Sequence, residues 1–133
     1  MLIKAPVVLI NGTFNIVHAG HCELFEFAFK YGNVFVGING DEYVKNKYKE
    51  KAIPVNERIQ VLSSNKYIHK VIVFEEENAC ELLKRVRPKY YIKGPDYLNK
   101  DYPEIKTAKE LNINIIIHER IKINSSSKIL NIF

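Results

Sequence analysis

The chain has 133 residues, 47% of them hydrophobic and 26% charged, the balance of one globular domain rather than of a disordered or fibrous protein. Its two cysteines, Cys22 and Cys80, are too few for a disulfide framework and form no CxxC zinc pair, so both are expected as small core residues in a reducing, cytoplasmic setting. Twenty Lys and Arg stand against 15 Asp and Glu, a net charge of +5; this suits a nucleic-acid surface or a basic cluster around one polyphosphate, and charge alone does not choose.

In chain order, the first predicted element is the apolar run at residues 7–10, a strand too short for a signal-peptide core or a membrane span. Helical spacing follows over residues 22–31, where Leu24, Phe25, Ala28 and Phe29 repeat on one side. Residues 34–38 are the second strand. Lys45, Lys47, Lys49 and Lys51 then alternate along what reads as a flexible polar loop. A helix is expected over residues 56–63, a strand over 71–74, and a helix over 78–86 that stops before Pro88. Residues 90–92 and 113–117 are further strands. They are separated by a helix at 104–111 with Asn112 as its stop, and Ser125 can cap a last helix running to Phe133. Nearly unbroken β-branched and aromatic strands suit a sheet covered on both faces. The alternation of strand and helix, without linker or repeat, points to one domain over 1–133. Its expected class is α/β: an open, doubly wound parallel sheet of about five strands with helices on both faces. Ligands of such sheets bind beyond the carboxyl ends of the strands.

The residues after the first strand carry the strongest chemical pattern: Asn11-Gly12-Thr13-Phe14-Asn15-Ile16-Val17-His18-Ala19-Gly20-His21. Gly12 is expected to allow a tight turn and close approach of a ligand to the backbone. His18 and His21 stand three apart at a helix opening, where unpaired amides and the helix dipole favour an anion. Imidazoles there can bind phosphate oxygens and hold the added charge of a phosphoryl-transfer transition state. A zinc set is the competing reading for paired histidines, but an i,i+3 His-x-x-His pair is by itself a poor zinc set.

This segment resembles the GTFDxxHxGH motif of the cytidylyltransferase-like nucleotidyltransferases, the branch that includes glycerol-3-phosphate cytidylyltransferase and the adenylyltransferase domain of bacterial ADP-heptose synthesis. The resemblance covers nearly the whole chain and implies a Rossmann-like fold. It further implies that Lys47, with Lys49 next, belongs to a lysine-bearing loop closing over triphosphate, and that Arg58 faces the ligand from a helix start. Lys93-Gly94-Pro95-Asp96-Tyr97 is similar to the family's KGxDY segment, with Gly94 and Asp96 toward the nucleotide. Arg120 with Asn124-Ser125-Ser126-Ser127 is similar to RTxGISTTxI, which implies that Arg120, Ser125 and Ser126 bind phosphates.

The implied reaction joins a nucleoside triphosphate, CTP or ATP, to a small phosphorylated alcohol or sugar and releases pyrophosphate. His18, His21, Lys47 and Arg120 are its expected catalytic groups, and Gly12, Thr13 and Phe14 part of its nucleotide cradle. Mg2+ is implied through the triphosphate, with no metal held by the chain itself. The implied partners are these small molecules and a second copy of the chain in a homodimer, with neither nucleic acid nor membrane. Two departures bear on this. Asn15 stands where the family has Asp, and Ile123-Asn124 replaces its Gly-Ile. Asn15 is the main support for an alternative, a nucleotide-binding regulatory module with weakened catalysis.

Overall fold

The computed structural model describes residues 5–98 and 101–119. Arg120, Ser125, Ser126 and the expected helix at 125–133 therefore lie outside the described residues.

Five strands, β1 (Val7–Gly12), β2 (Asn33–Asn39), β3 (Ile68–Phe74), β4 (Tyr90–Lys93) and β5 (Asn114–Ile117), form one sheet of order β3-β2-β1-β4-β5. All four pairings are parallel, and β1 runs in register with β2 from Val7 opposite Asn33 to Gly12 opposite Ile38. Successive side chains of a strand point to opposite faces, and β1 shows it: Val8 and Ile10 join one core cluster, Leu9 the other. Helices α1 (Ala19–Phe29) and α3 (Val55–Ser63) cover the first face through Phe25, Ala28 and Leu62. Helices α4 (Cys80–Val86) and α5 (Pro103–Glu110) cover the second through Leu82, Leu83 and Ala108. The larger of these buried side chains, Phe25, Leu62, Leu82 and Leu83, contribute about 1.5–3 kcal/mol each. The fold is the Rossmann-like, doubly wound parallel sheet expected.

Residues 45–51 depart from expectation. Instead of a flexible loop, the chain forms helix α2 (Asp41–Tyr48) and a short 3-10 turn (Lys49–Lys51), so two helices separate β2 from β3. Gly40 caps α2 in extended conformation, Asp41 and Glu42 occupy its first turn, and Lys45 and Lys47 its last; both charge sets oppose the helix dipole. Lys49 ends it with φ of 56°. Cys22 is also misjudged: it is exposed on α1 rather than in the core, while Cys80 is partly buried. No helix among the described residues is long and apolar enough to cross a membrane.

Candidate active site

Strands β2 and β3 lie to one side of β1, and β4 and β5 to the other. The winding therefore reverses between β1 and β4, and the crevice beyond their carboxyl ends is where an open α/β sheet accepts a ligand. A cavity of about 340 Å3 opens there. One wall is the end of β1 and the start of α1, with Asn11, Gly12, Thr13, Phe14, His18, Gly20 and His21; the other is the end of β4, Lys93 through Tyr97, with His118 after β5. The fold thus brings seven expected site residues together: Gly12, Thr13, Phe14, His18, His21, Gly94 and Asp96.

The histidines build the helix start that they occupy. His18 is the N-cap of α1, its Nδ1 accepting the Gly20 amide at 3.0 Å. The Nδ1 of His21 in turn accepts the His18 amide at 3.3 Å. This is a capping box with imidazoles in place of hydroxyl and carboxylate. Because Nδ1 accepts in both rings, each neutral imidazole carries its proton on Nε2. The rings stack with centroids 3.9 Å apart, and the Phe14 ring meets His21 edge-on at 5.1 Å. Two imidazoles are therefore fixed side by side at the positive end of the helix dipole before any ligand arrives.

The turn that carries them is strained and tied down. Phe14, buried, sits at φ of 47°, the left-handed region that side chains other than glycine seldom adopt. Gly12 lines the cavity. The left-handed residue is Phe14, and a Cβ on Gly12 would stand 3.1 Å from the Phe14 ring. Beside it Asn15, 2% exposed, donates Nδ2 to the Lys51 carbonyl at 3.1 Å and accepts the Ile53 amide at 2.8 Å. Its carboxamide is a strap between the motif and the 3-10 turn.

Arg58 also departs from expectation. Rather than facing a ligand, it is buried at 1% exposure and does not line the cavity. Its Nε donates to the Ile53 carbonyl at 2.8 Å, and one terminal nitrogen to the carbonyls of Thr13 and Asn39 at 3.1 and 2.7 Å. The other terminal nitrogen pairs with Asp41 at 3.2 Å. A guanidinium has the fork of donors this junction needs. It locks the β1–α1 turn, the end of β2 and the approach to α3 to one another.

The β4 wall holds groups not singled out from the sequence. Lys93 donates its Nζ to Asn11 Oδ1 at 3.2 Å, and the Tyr91 hydroxyl donates to the same oxygen at 2.6 Å. Nζ lies 4.4 Å from the Tyr97 ring centroid and 5.2 Å from that of Tyr91. Burial pulls the Lys93 ammonium down to about 8, against the raising influence of the Glu104 and Asp96 carboxylates. Burial pushes the hydroxyls of Tyr91 and Tyr97 above the usual tyrosine range, so both stay protonated. Asp96 is exposed, and its Oδ2 accepts from the Tyr102 hydroxyl at 3.4 Å. The sequence signal for Lys93 was its place at the head of the KGxDY-like segment, which gave it no role of its own. His118 had none, since only the sheet order brings β5 beside the cavity.

Lys47 and Lys49 are exposed and do not line the cavity. The Tyr48 hydroxyl, 3.4 Å from Thr13 Oγ1, anchors the end of their helix to the motif turn. Among the described residues no group of three His, Cys, Asp or Glu forms a metal cradle, and Asp96 is the one carboxylate on the cavity wall.

A parallel sheet with its cavity at the switch point, walled by a histidine-capped helix start, defines a Rossmann-like α/β domain. Residues 9–132 match the model of the cytidylyltransferase-like family. The chain belongs to that family of nucleotidyltransferase enzymes. It is 35% identical over 127 residues, 92% of its length, to the bifunctional protein HldE of Aliarcobacter butzleri. It is 36% identical over 113 residues, 83% of its length, to HldE of Helicobacter pylori strain Shi470. The chain spans only about a quarter of these relatives, 26% and 24% respectively. In fold it is similar to a lipopolysaccharide core biosynthesis protein from Thermoplasma volcanium, with TM-score 0.69, 23% identity and coverage of 90% of this chain and 98% of that one. It is also similar to a pantoate-beta-alanine ligase from Francisella tularensis, with TM-score 0.56, 19% identity and coverage of 91% and 62%.

Proposed function

We propose that the chain transfers a nucleotidyl group from ATP or CTP to the phosphate of a small sugar or polyol. An oxygen of the acceptor phosphate attacks the α-phosphorus in line. The new P–O bond forms as the bond to the bridging oxygen of the β-phosphate breaks, and pyrophosphate leaves with that electron pair. Such chemistry needs positioning and charge stabilisation rather than a side-chain nucleophile. The observation that carries the proposal is the reciprocal His18–His21 cap, which fixes two imidazoles on the cavity wall at the positive end of the α1 dipole, a setting that suits an anion.

Lys47 and Lys49 are proposed to bring positive charge to the triphosphate from the α2 end, with Arg120, Ser125 and Ser126 as further phosphate ligands. Asp96, the cavity-wall carboxylate, is the residue suited to meet a water of a magnesium ion that travels on the triphosphate. That ion would neutralise the leaving pyrophosphate. The likeness to HldE and to a protein of lipopolysaccharide core biosynthesis favours a sugar phosphate as acceptor.

The decisive experiment offers ATP and CTP against heptose, glycerol, ethanolamine and choline phosphates and reads pyrophosphate. Steady release with one matched pair is expected. A chain that binds nucleotide yet releases none with any pair is a binding module instead. We further propose a homodimer, for which light scattering should give twice the mass of one chain; a monomer mass refutes it.

A further inference from the structure

Lysines of the described residues are exposed with one exception, Lys93. A strongly hydrated ammonium gives up water at a cost that a partner normally offsets. The offset here is partial. Of three donors, Lys93 has the Asn11 carbonyl oxygen, already shared with the Tyr91 hydroxyl, and two aromatic faces. Among the described residues no carboxylate pairs with it. It lines the same cavity as the histidines but belongs to the other wall.

In-line displacement puts the attacking and leaving oxygens on opposite sides of the α-phosphorus. With the nucleotide's phosphates at the proposed site, His18, His21 and the start of α1 on one wall, the attacking phosphate needs a cation on the other. We infer that the Lys93 ammonium is the binding group for the acceptor's phosphate, giving the cavity two anion subsites supplied by α1 and β4. This assignment rests on the nucleotidyl-transfer reading for the word acceptor; the phosphate subsite itself does not. Groups that bear on Lys93 are Asn11 from β1, Tyr91 from β4, Asp96 and Tyr97 from the turn after it, and Glu104 from α5. His18, His21 and His118 line the remainder of the cavity. A dianion arriving at Lys93 favours its charged form, against the burial that now holds it near 8.

The test follows the Lys93 Cε resonance by NMR in the full chain with 13C-labelled lysine, assigned by its loss in Lys93→Met. Inorganic phosphate is the probe, added first alone and then with a non-hydrolysable nucleoside triphosphate already bound. Phosphate is expected to raise the Lys93 midpoint by about one pH unit, and to do so with the nucleotide in place. A midpoint that ignores phosphate overturns the inference. So does one that the triphosphate alone moves as far, with phosphate adding nothing.

In turnover, Lys93→Met should raise the acceptor KM at least ~10-fold and the nucleotide KM by less than about twofold, with Lys93→Arg recovering most of the loss. Equal effects on both constants also overturn it. A wild-type chain that makes no pyrophosphate while its Lys93 midpoint still responds to phosphate would end the transfer reading and leave the phosphate subsite standing.

Discussion

The Asn15 carboxamide oxygen and the Ile53 amide are joined by a 2.8 Å hydrogen bond across 38 residues of chain. The nitrogen of the same carboxamide donates to the Lys51 carbonyl at 3.1 Å. The two bonds use both ends of an amide, and a carboxylate has only acceptors. Asn15→Asp should therefore keep the first contact and oppose oxygen to oxygen at the second. The expected loss is about 1–3 kcal/mol of unfolding free energy, measured by urea denaturation at neutral pH. The deficit should narrow below about pH 4, where a protonated carboxyl donates again. A variant as stable as the parent at neutral pH would refute the strap.

Arg58 stabilises by a similar logic on a larger scale. Arg58→Met leaves the Ile53, Thr13 and Asn39 carbonyls short of a donor, and should lower stability by at least ~3 kcal/mol. Lys in its place reaches one carbonyl at a time and should recover little. Full recovery by Arg58→Lys, measured by the same denaturation, would mean that charge rather than the donor fork matters.

His18 combines a cap with a proposed phosphate ligand, and the two roles separate by substitution. His18→Ala should lose about 1 kcal/mol of stability and ~10²-fold or more in pyrophosphate release. Asparagine is among the best N-caps, so His18→Asn should keep the melting temperature of the parent and remain as slow as the alanine variant. His21→Ala should be similarly slow. Parent-like turnover in the folded variants would remove the histidines from the mechanism.

The buried ammonium sets a pH dependence with a definite sign. Lys93 titrates near 8 in the fold, below its ordinary 10.5, so between these values the unfolded chain binds more protons. Stability contributed by this residue should therefore rise as pH goes from about 8 to 10, after which the two buried tyrosines, held protonated by the fold, reverse the trend. Lys93→Met should remove the rise and melt higher than the parent at pH 7. Parallel stability curves for the two chains from pH 7 to 10 would contradict the burial of that charge.

Much of this architecture is legible in the residue order because strands of a covered parallel sheet must be apolar on both faces. Runs such as Val34 to Ile38 announce themselves. Helix α2 does not, because Val44 is its one buried residue and a single apolar position has no period. The histidine motif is legible for the opposite reason: its spacing and its chemistry are both local. Arg58 misleads since the resemblance implies an arginine facing the ligand, whereas its partners are carbonyls from Thr13, Asn39 and Ile53 that only the tertiary fold assembles. Lys93 reaches the cavity by the same route, through β4 pairing with β1.

That pairing has a consequence for biogenesis. Asn11 meets Tyr91 and Lys93 across 80 and 82 residues, so a nascent chain that has emerged only as far as β3 owns half a pocket and a β1 with one unsatisfied edge. The second wall arrives when β4 slots in beside the oldest strand, and its last described lining residue, His118, only once β5 has followed.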